Sequence, residues 1–312
     1  MKKLIALSLT MALSFSLAAC GSKDDAASNK EPASDSSSTA DDTNDSADNS
    51  NADDTDSSTD DTTGSNTDDS SAAGNSDDSD LAYVKEKGTL VVGITDFEPM
   101  DYQDADGNWI GFDADMAKAF AESIGVTAKF VEIDWDNKIL ELDGKTIDCV
   151  WNGMTLTDEV ISSMECSDPY FNNAQVVIVH ADKADLYQDV DSLKELNFAV
   201  EAGSAGEAQA KNNNFSYTPV QQQSSALMEV AAGTADAAII DFLMASAMVG
   251  EGTGYADLTH TVSLNSEEYG VGFRKGSDLA ASLNDFFDAS YADGSMEKCA
   301  KTYNIQDALV QQ

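Results

Sequence analysis

The run from Gly153 to Tyr170 reads Gly-Met-Thr-Leu-Thr-Asp-Glu-Val-Ile-Ser-Ser-Met-Glu-Cys-Ser-Asp-Pro-Tyr. It follows a short apolar run, residues 147–151, which has the composition of a buried strand. Thr157 and the two acidic residues after it are typical of a helix start, whose free amides can hold a carboxylate. Ligands of open α/β sheets bind where strands end and helices begin. The run therefore predicts part of a binding site.

The same run resembles the central signature of the polar amino acid-binding proteins, the extracellular solute-binding proteins of family 3 that serve ABC importers. The family usually has Gly-Met-Ser/Thr-Ile-Thr-x-Glu-Arg, ending in Phe-Ser-x-Pro-Tyr, and the resemblance extends over nearly all of residues 83–305. In the family this arginine grips the α-carboxylate of an amino acid ligand. Here Val160 stands at its position, so the motif indicates the family and leaves the ligand open.

Apolar runs alternate with helical patterns along the rest of the chain, which is typical of α/β units with a mostly parallel sheet. The predicted strands are residues 89–94, 128–133, 147–151, 175–180, 198–200, 237–240 and 269–273. The predicted helices are residues 113–124, 138–142, one from about 205, 241–249, and two within 279–303. We expect Asp113 to be the N-cap of the first helix and residues 104–108 to form a hairpin turn.

The resemblance implies an α/β fold of the type II periplasmic-binding-protein class, with two lobes joined by a two-strand hinge. Residues 81–312 would form the solute-binding domain. Lobe 1 would comprise about residues 83–178 plus 268–312, and lobe 2 about residues 180–266. The hinge would lie near residues 178–182 and 265–270, where closure around a ligand takes place. The return of the chain to lobe 1 is implied by the family alone.

Two aromatic residues follow predicted strands within polar surroundings. Phe97 matches the aromatic residue of the family's Tyr-x-Pro-Phe motif, and Trp135 matches a second aromatic wall. Two facing rings can hold an aliphatic, amide or cationic group between them. Core packing is the alternative for both residues, and we expect them in the site.

Lobe 1 is expected to supply polar contacts from the signature run and its flank. The resemblance implies that Gly153, Thr155 and Thr157 donate backbone and hydroxyl hydrogen bonds to the ligand. Asn152 stands where the family usually has a small residue, and we expect it to add a polar contact.

Lobe 2 is expected to supply a turn and a carboxylate. Ser204 and Ala205 lie in a turn that matches the family's Gly-Thr-Thr-x-Glu, although Ala205 lacks the second hydroxyl. Asp241 aligns with the family carboxylate that binds the ligand's α-ammonium. A buried carboxylate beside an apolar strand needs a cationic partner. Capping of the following helix is the alternative role for Asp241.

The chain offers no obvious substitute for the missing guanidinium. Arg274 is its single arginine, at a position where the family often has a basic pair away from the ligand. A lysine such as Lys138 would be only a point charge. Two ligand classes stay open. One is an amino acid whose carboxylate is held by helix-start amides and threonines; the other is an amine or modified amino compound without a free α-carboxylate.

The N-terminus predicts a lipoprotein. Lys2 and Lys3 precede an apolar run from Leu4 to Leu17 that is too short to span a bilayer, so residues 1–19 read as a signal peptide. The sequence Leu-Ala-Ala-Cys ending at Cys20 resembles a bacterial lipobox. We expect cleavage before Cys20, lipidation of Cys20, and a place on the outer face of the cell membrane, at a Gram-positive cell surface. A plain signal peptide is the alternative.

Residues 20–80 are expected to form a disordered acidic tether. From Gly21 to Asp80 the chain has 18 acidic residues, two lysines, and no aromatic residue, Leu, Ile or Val. Such a segment has too little apolar surface to fold. The whole chain carries a net charge of −40, so about −26 remains on residues 81–312. This charge argues against nucleic acid and anionic membrane surfaces as partners. We expect a monomer that binds a small amino acid or amine and ABC permease subunits.

The remaining cysteines and the histidines indicate no catalytic or metal chemistry. Cys149, Cys166 and Cys299 are odd in number and have no metal-ligand spacing, so we expect no metal and no cofactor. Cys149 reads as a buried apolar residue, and one disulfide among the three stays open. His180 and His260 are expected away from the cleft contacts, and an enzyme is not expected. A sensory or adhesive surface protein without transport is the other alternative.

Overall fold

The computed structural model describes residues 79–312. The predicted signal peptide, the lipidation site Cys20 and the predicted tether up to residue 78 lie outside the described residues. The described part begins with the helix Asp80–Lys87, which Ser79 caps, so the predicted end of the tether at residue 80 is wrong and Ser79 and Asp80 belong to the folded part.

The helices and strands alternate along the described chain. The strands are β1 (Thr89–Ile94), β2 (Tyr102–Gln103), β3 (Trp109–Ile110), β4 (Thr127–Glu132), β5 (Cys149–Thr155), β6 (Glu165–Cys166), β7 (Phe171–Asn173), β8 (Gln175–His180), β9 (Asn197–Glu201), β10 (Ser216–Val220), β11 (Ala237–Asp241), β12 (Leu258–Ser263) and β13 (Glu267–Phe273). The α-helices are α1 (Asp80–Lys87), α2 (Phe112–Ser123), α3 (Lys138–Asp143), α4 (Asp158–Ser163), α5 (Ala205–Asn212), α6 (Gln223–Ala232), α7 (Phe242–Met248), α8 (Leu279–Ala292) and α9 (Ser295–Thr302).

Lobe 1 is built on a sheet with the strand order β4-β1-β5-β13-β6, and β7 also pairs with β13. The strands β4, β1 and β5 are parallel, whereas β13 returns antiparallel to β5. Helices α2 and α8 pack on this sheet. The elements β13, α8 and α9 follow lobe 2 in sequence and pack in lobe 1.

Lobe 2 is built on a second sheet with the order β10-β9-β11-β8-β12. Helices α5, α6 and α7 pack on it. The two faces of β8 enter different apolar clusters: Val177 and Val179 face one, and Val176 and Ile178 face the other. Burial on both faces explains why this strand is a continuous apolar run and not an alternating one.

The two lobes are joined by two chain crossings. The chain passes from β7 to β8 at residues 173–175 and from β12 to β13 at residues 263–267. The predicted first crossing near residue 178 is wrong, because all of β8 pairs with strands of lobe 2. His180 therefore lies at the far end of β8 and not in the hinge, with its Nε2 2.9 Å from the carbonyl of Val230.

The structure corrects one helix start and adds elements to the prediction. Gly111, not Asp113, is the N-cap of α2. Asp113 is buried, and its Oδ2 accepts hydrogen bonds from the Gly153 amide (2.6 Å) and the Tyr170 hydroxyl (2.8 Å). These tertiary partners hold the carboxylate away from the capping position. The helices and strands that were not predicted are α1, α6, β6, β7, β10 and β12. The cysteines Cys149, Cys166 and Cys299 are free thiols, and Cys149 is buried as predicted.

Candidate functional site

A cavity of about 820 Å³ lies between the two lobes, a size typical of small-molecule sites. Strands β1, β5, β9 and β11 all end at it, so loops and side chains from both sheets converge there. All the ligand contacts predicted from the sequence line this cavity. They are Phe97, Trp135, Asn152, Gly153, Thr155, Thr157, Ser204, Ala205 and Asp241.

Both predicted aromatic residues border the cavity. Phe97 packs edge-on against Tyr269, with ring centroids 6.3 Å apart. Gly153 makes room for Phe97, because a Cβ at Gly153 would lie 2.6 Å from the phenyl ring. Trp135 lies in a short 3-10 turn, and the Lys138 ammonium is 5.0 Å from its ring centroid. The glycine of the signature run thus sets the position of one aromatic residue of the cavity.

Two of the predicted polar contacts are engaged within lobe 1. The Asn152 oxygen accepts from the backbone amide and hydroxyl of Thr95, and its amide donates to the Thr95 carbonyl and to Asp101. The Gly153 amide donates to Asp113 at 2.6 Å. These bonds fix the ends of β1 and β5 relative to each other, so Asn152 acts on the cavity by holding Thr95 in place.

The two signature threonines are also hydrogen bonded. Thr155 Oγ1 donates to Glu267 Oε1 at 2.9 Å, which joins β5 to the start of β13. Thr157 caps α4, as predicted, and its Oγ1 accepts from the Val160 amide at 3.2 Å. Val160 itself is 4% exposed and packs among Trp135, Met154 and other apolar side chains. An aliphatic side chain therefore fills the arginine position of the family.

Arg274 lies away from the cavity. Its guanidinium is 2.9 Å from Asp80 and 3.6 Å from Asp148, and it donates to the carbonyls of Leu142 and Ile147. It thereby ties α1 to the segment that precedes β5, at the end of the lobe 1 sheet opposite the cavity. Among the residues that line the cavity, Lys138 is the one basic side chain.

Asp241 is a buried carboxylate at the carboxyl end of β11. Its Oδ1 accepts from Asn173 (2.5 Å), Gln175 (3.1 Å) and the Tyr269 hydroxyl (2.6 Å), and its Oδ2 accepts from Gln223 (2.5 Å). Burial, followed by the nearby charge of Glu267, raises the pKa of Asp241 to about 7, although the hydrogen bonds act in the opposite direction. Asp241 occupies the N-cap position of α7, as the alternative had it, but its side chain makes no capping hydrogen bond to that helix.

Several cavity residues were not predicted from the sequence. They are acidic or amide side chains, namely Glu201, Gln223 and Glu267, together with exposed carboxylates at the rim: Asp158, Glu159 and Glu268. Glu201 follows directly on the apolar run that predicted β9, and extending that strand by one residue would have placed it at a strand end, where ligands bind. With Asp241 included, six carboxylates and one ammonium line the cavity. The cavity is therefore strongly acidic.

The lobes contact each other beside Trp135. Lys138 Nζ donates to the Trp135 carbonyl at 3.2 Å and, across the cleft, to the Gly203 carbonyl at 2.9 Å. Its burial lowers the pKa of Lys138, which nearby carboxylates partly offset. Gly203 has φ +70°, and a Cβ there would lie 2.7 Å from Asp136 Cα. Only glycine allows this close approach between the lobes.

Residues 90–306 match the family described as bacterial extracellular solute-binding proteins, family 3, so the chain belongs to this family. The L-cystine-binding protein TcyJ of Escherichia coli strain K12 is 28% identical over 227 residues, which cover 72% of this chain and 85% of TcyJ.

Solved structures of related proteins share the fold. A substrate-binding protein of an ABC uptake transporter from Streptococcus pneumoniae, with bound histidine, is 28% identical with a TM-score of 0.68, covering 73% of this chain and 96% of its own. A mutant of ArgBP from T. maritima is 31% identical with a TM-score of 0.67, and the match covers 72% of this chain and 98% of the ArgBP chain. The fold is thus the predicted type II periplasmic-binding-protein fold, and the named relatives are binding proteins, so this chain is a binding protein and not an enzyme.

Within residues 79–312, no group of three or more His, Cys, Asp or Glu side chains is arranged to hold a metal ion. No helix in that range has both the length and the apolar character needed to cross a bilayer.

Proposed function

We propose that this chain is the solute-binding component of an ABC importer and captures a small amino compound in the cavity between its lobes. One observation carries the proposal. Asp241, a carboxylate that is only 4% exposed, stands at a strand end facing a cavity that six carboxylates line. A buried carboxylate is stabilised when a cationic group pairs with it, and a ligand ammonium would supply that group.

The expected ligand contacts extend from Asp241 to the opposite lobe. Phe97 and Trp135 would pack on the apolar part of the solute. Ser204 caps α5, with its Oγ accepting from the Glu207 amide, so Ala205 and the other free amides of that turn would face the ligand from lobe 2. Ligand contacts with both lobes would favour the closed arrangement, in which Lys138 and Gly203 meet.

The carboxylate side of the ligand is the part that differs from the family. Val160 lies in an apolar cluster and Arg274 lies elsewhere, so a bidentate guanidinium clamp is lost. Lys138 is the remaining cation, and its ammonium already donates to two carbonyls. These observations favour amines and modified amino compounds without a free α-carboxylate over ordinary amino acids, which would have to rely on amides and threonines.

We further propose that the protein reaches its permease from a lipid anchor on Cys20, at the outer face of the cell membrane. The wild-type chain should fractionate with membranes, and the Cys20→Ala variant should not carry the lipid. Equal membrane association and equal mass of the two chains would contradict the anchor.

A thermal-shift screen of the full chain in detergent tests ligand binding. Amino acids, amines and short peptides are compared at equal concentration, and a binder at about 100-fold excess over its Kd stabilises the fold by about 2.7 kcal/mol. We expect amines or amino acids to raise the melting temperature. A screen in which no amino compound does so would contradict the proposed function.

A further inference from the structure

Glu201 lies beside Asp241 at the same edge of the lobe 2 sheet. It is the last residue of β9, and Asp241 is the last residue of β11, the neighbouring parallel strand. Both carboxyl groups border the cavity, and the charge of Asp241 acts on Glu201. Glu201 is 2% exposed, and its Oε1 has no hydrogen-bond partner among the described residues.

An unpartnered buried carboxylate oxygen calls for an explanation, because nearly all buried polar atoms in proteins are paired. The groups that face Glu201 are Asp241, Lys138 and the Gln223 side chain. Lys138 directs its ammonium at the carbonyls of Trp135 and Gly203, and no ion pair joins it to Glu201. Glu201 thus lines the cavity and is left with an acceptor that no described side chain satisfies.

The buried charges that line the cavity around Glu201 also have an excess of negative charge. Glu201 and Asp241 are buried, Glu267 is half-buried beside them, and Lys138 is the one buried cation of the lining. When all four are ionised, this group carries a net charge of −2. One ligand ammonium, at Asp241, balances only half of it.

We propose that Glu201 binds a second cationic group of the solute, so that the substrate class is amino compounds that carry two ammonium or guanidinium groups. The inference rests on the proposed function and deepens it by naming the substrate class. Asp241 takes the first cation, and Oε1 of Glu201 accepts hydrogen bonds from the second. Gln223 donates to Asp241 Oδ2 at 2.5 Å and also acts on Glu201.

Proton exchange supplies an independent readout. Burial, with the charge of Asp241, raises the pKa of Glu201 to about 8, and Lys138 and Gln223 act against this shift. Glu201 is therefore largely protonated at pH 7 before it meets a cation. A bound cation favours the ionised form, so binding at pH 7 releases protons to the buffer. Asp241, whose pKa is also raised, contributes to the same release.

The test compares ligands that differ by one ammonium group. The full chain is titrated calorimetrically with L-lysine against L-norleucine, and with 1,5-diaminopentane against pentylamine. We expect the two-cation member of at least one pair to bind at least about tenfold more tightly, because a hydrogen bond between two ionised groups is among the strongest polar contacts. A comparison of L-lysine with 1,5-diaminopentane, which lacks the α-carboxylate, also shows whether the site tolerates that group.

Variants assign the preference to Glu201. Glu201→Gln keeps the side-chain volume and should abolish the tenfold preference. It should also reduce the number of protons released on binding, which calorimetry in two buffers of different ionisation enthalpy measures. Glu195→Gln, an exposed carboxylate of lobe 2 outside the cavity lining, is the matched control and should leave both unchanged. Glu201→Asp retains the charge and should keep part of the preference if the glutamine variant folds poorly.

The outcomes separate the inference from the proposed function. If one-cation ligands bind as tightly as two-cation ligands, or if Glu201→Gln retains the preference and the proton release, the role of Glu201 is contradicted while solute binding stands. If no amino compound binds the wild-type chain at all, the proposed function itself fails.

Discussion

The hydroxyl of Tyr269 donates to Asp241 Oδ1 at 2.6 Å. Tyr269 belongs to β13 of lobe 1, just after the second crossing, and Asp241 ends β11 of lobe 2. The bond therefore joins the two lobes at the hinge and orients the carboxylate that we propose as the ammonium site. Asn173 and Gln175, at the first crossing, donate to the same oxygen. Ligand recognition and the hinge thus share one hydrogen-bond network.

Tyr269→Phe should destabilise the chain and weaken ligand binding. Loss of a hydrogen bond to a buried charged group costs about 1.5–3 kcal/mol, and the pKa of Asp241 should rise further because Tyr269 holds it down. Urea unfolding measures the first effect, and affinity from pH 6 to 9 measures the second. Tyr303→Phe is the control. The Tyr303 hydroxyl donates to Asp115 over 2.6 Å, and neither residue lines the cavity. Equal ligand affinity in both variants would contradict the role of Tyr269.

Val160→Arg should restore part of the lost carboxylate clamp. Val160 borders the cavity, so a long side chain at this position can extend into it, at the cost of contacts with its apolar cluster. We expect the affinity for α-amino acids to rise by about tenfold or more relative to the matching amines, because a guanidinium binds a carboxylate through two bonds. Val160→Leu controls for size. A folded arginine variant without this gain would show that the site differs from the family in more than one side chain.

Gly203→Ala should impair closure. The added Cβ would lie 2.7 Å from Asp136 Cα, so the contact between Lys138 and the Gly203 carbonyl has to open. Gly233→Ala is the matched control, since Gly233 has φ +73° with nothing within 4 Å of a Cβ. Both should lose about 1–2 kcal/mol of stability from the left-handed backbone. Only Gly203→Ala should also lose ligand affinity, and similar affinities in the two variants would speak against closure at this contact.

The ligand-free chain should become less stable between about pH 5 and 8. Burial raises the pKa of Glu201 to about 8 and those of Asp241 and Asp113 to about 7. Unfolded carboxyl groups ionise near pH 4, so in this window the folded state holds more protons and stability falls as pH rises. Urea midpoints at pH 5 and pH 8 measure the slope. Glu201→Gln should flatten it, and a stability that rises over this range would contradict the raised pKa values.

The sequence alone was sufficient to predict the bounds of strands whose composition is unambiguous. The strands β1 and β8 are continuous apolar runs with polar boundaries, and their predicted bounds match the structure. The edge strand β10 escaped prediction because its residues are mostly polar or partly exposed and include Pro219. Proline is tolerated at such an edge, where its missing N–H is not needed. The pairing of β10 with β9 is a tertiary fact that local composition does not encode.

The sequence predicted which residues line the site, but it did not predict the hydrogen bonds that they make. The predicted residues follow strand ends, and parallel strands bring those ends to one cavity. Which groups are engaged depends on contacts distant in sequence, such as Asp113 with the Gly153 amide and Asn152 with Thr95. The buried pair of Glu201 and Asp241 likewise becomes visible only when β9 and β11 are neighbours.

The most direct test of the proposed ammonium site is the affinity of Asp241→Asn for the solute that stabilises the wild-type chain most. Loss of one partner of a buried ion pair costs about 2–5 kcal/mol, so the Kd should rise at least about thirtyfold by calorimetry at pH 8. Asp288→Asn, an exposed carboxylate outside the cavity lining, should bind like the wild type. An Asp241→Asn variant that folds and binds the solute with unchanged Kd would contradict the ammonium site.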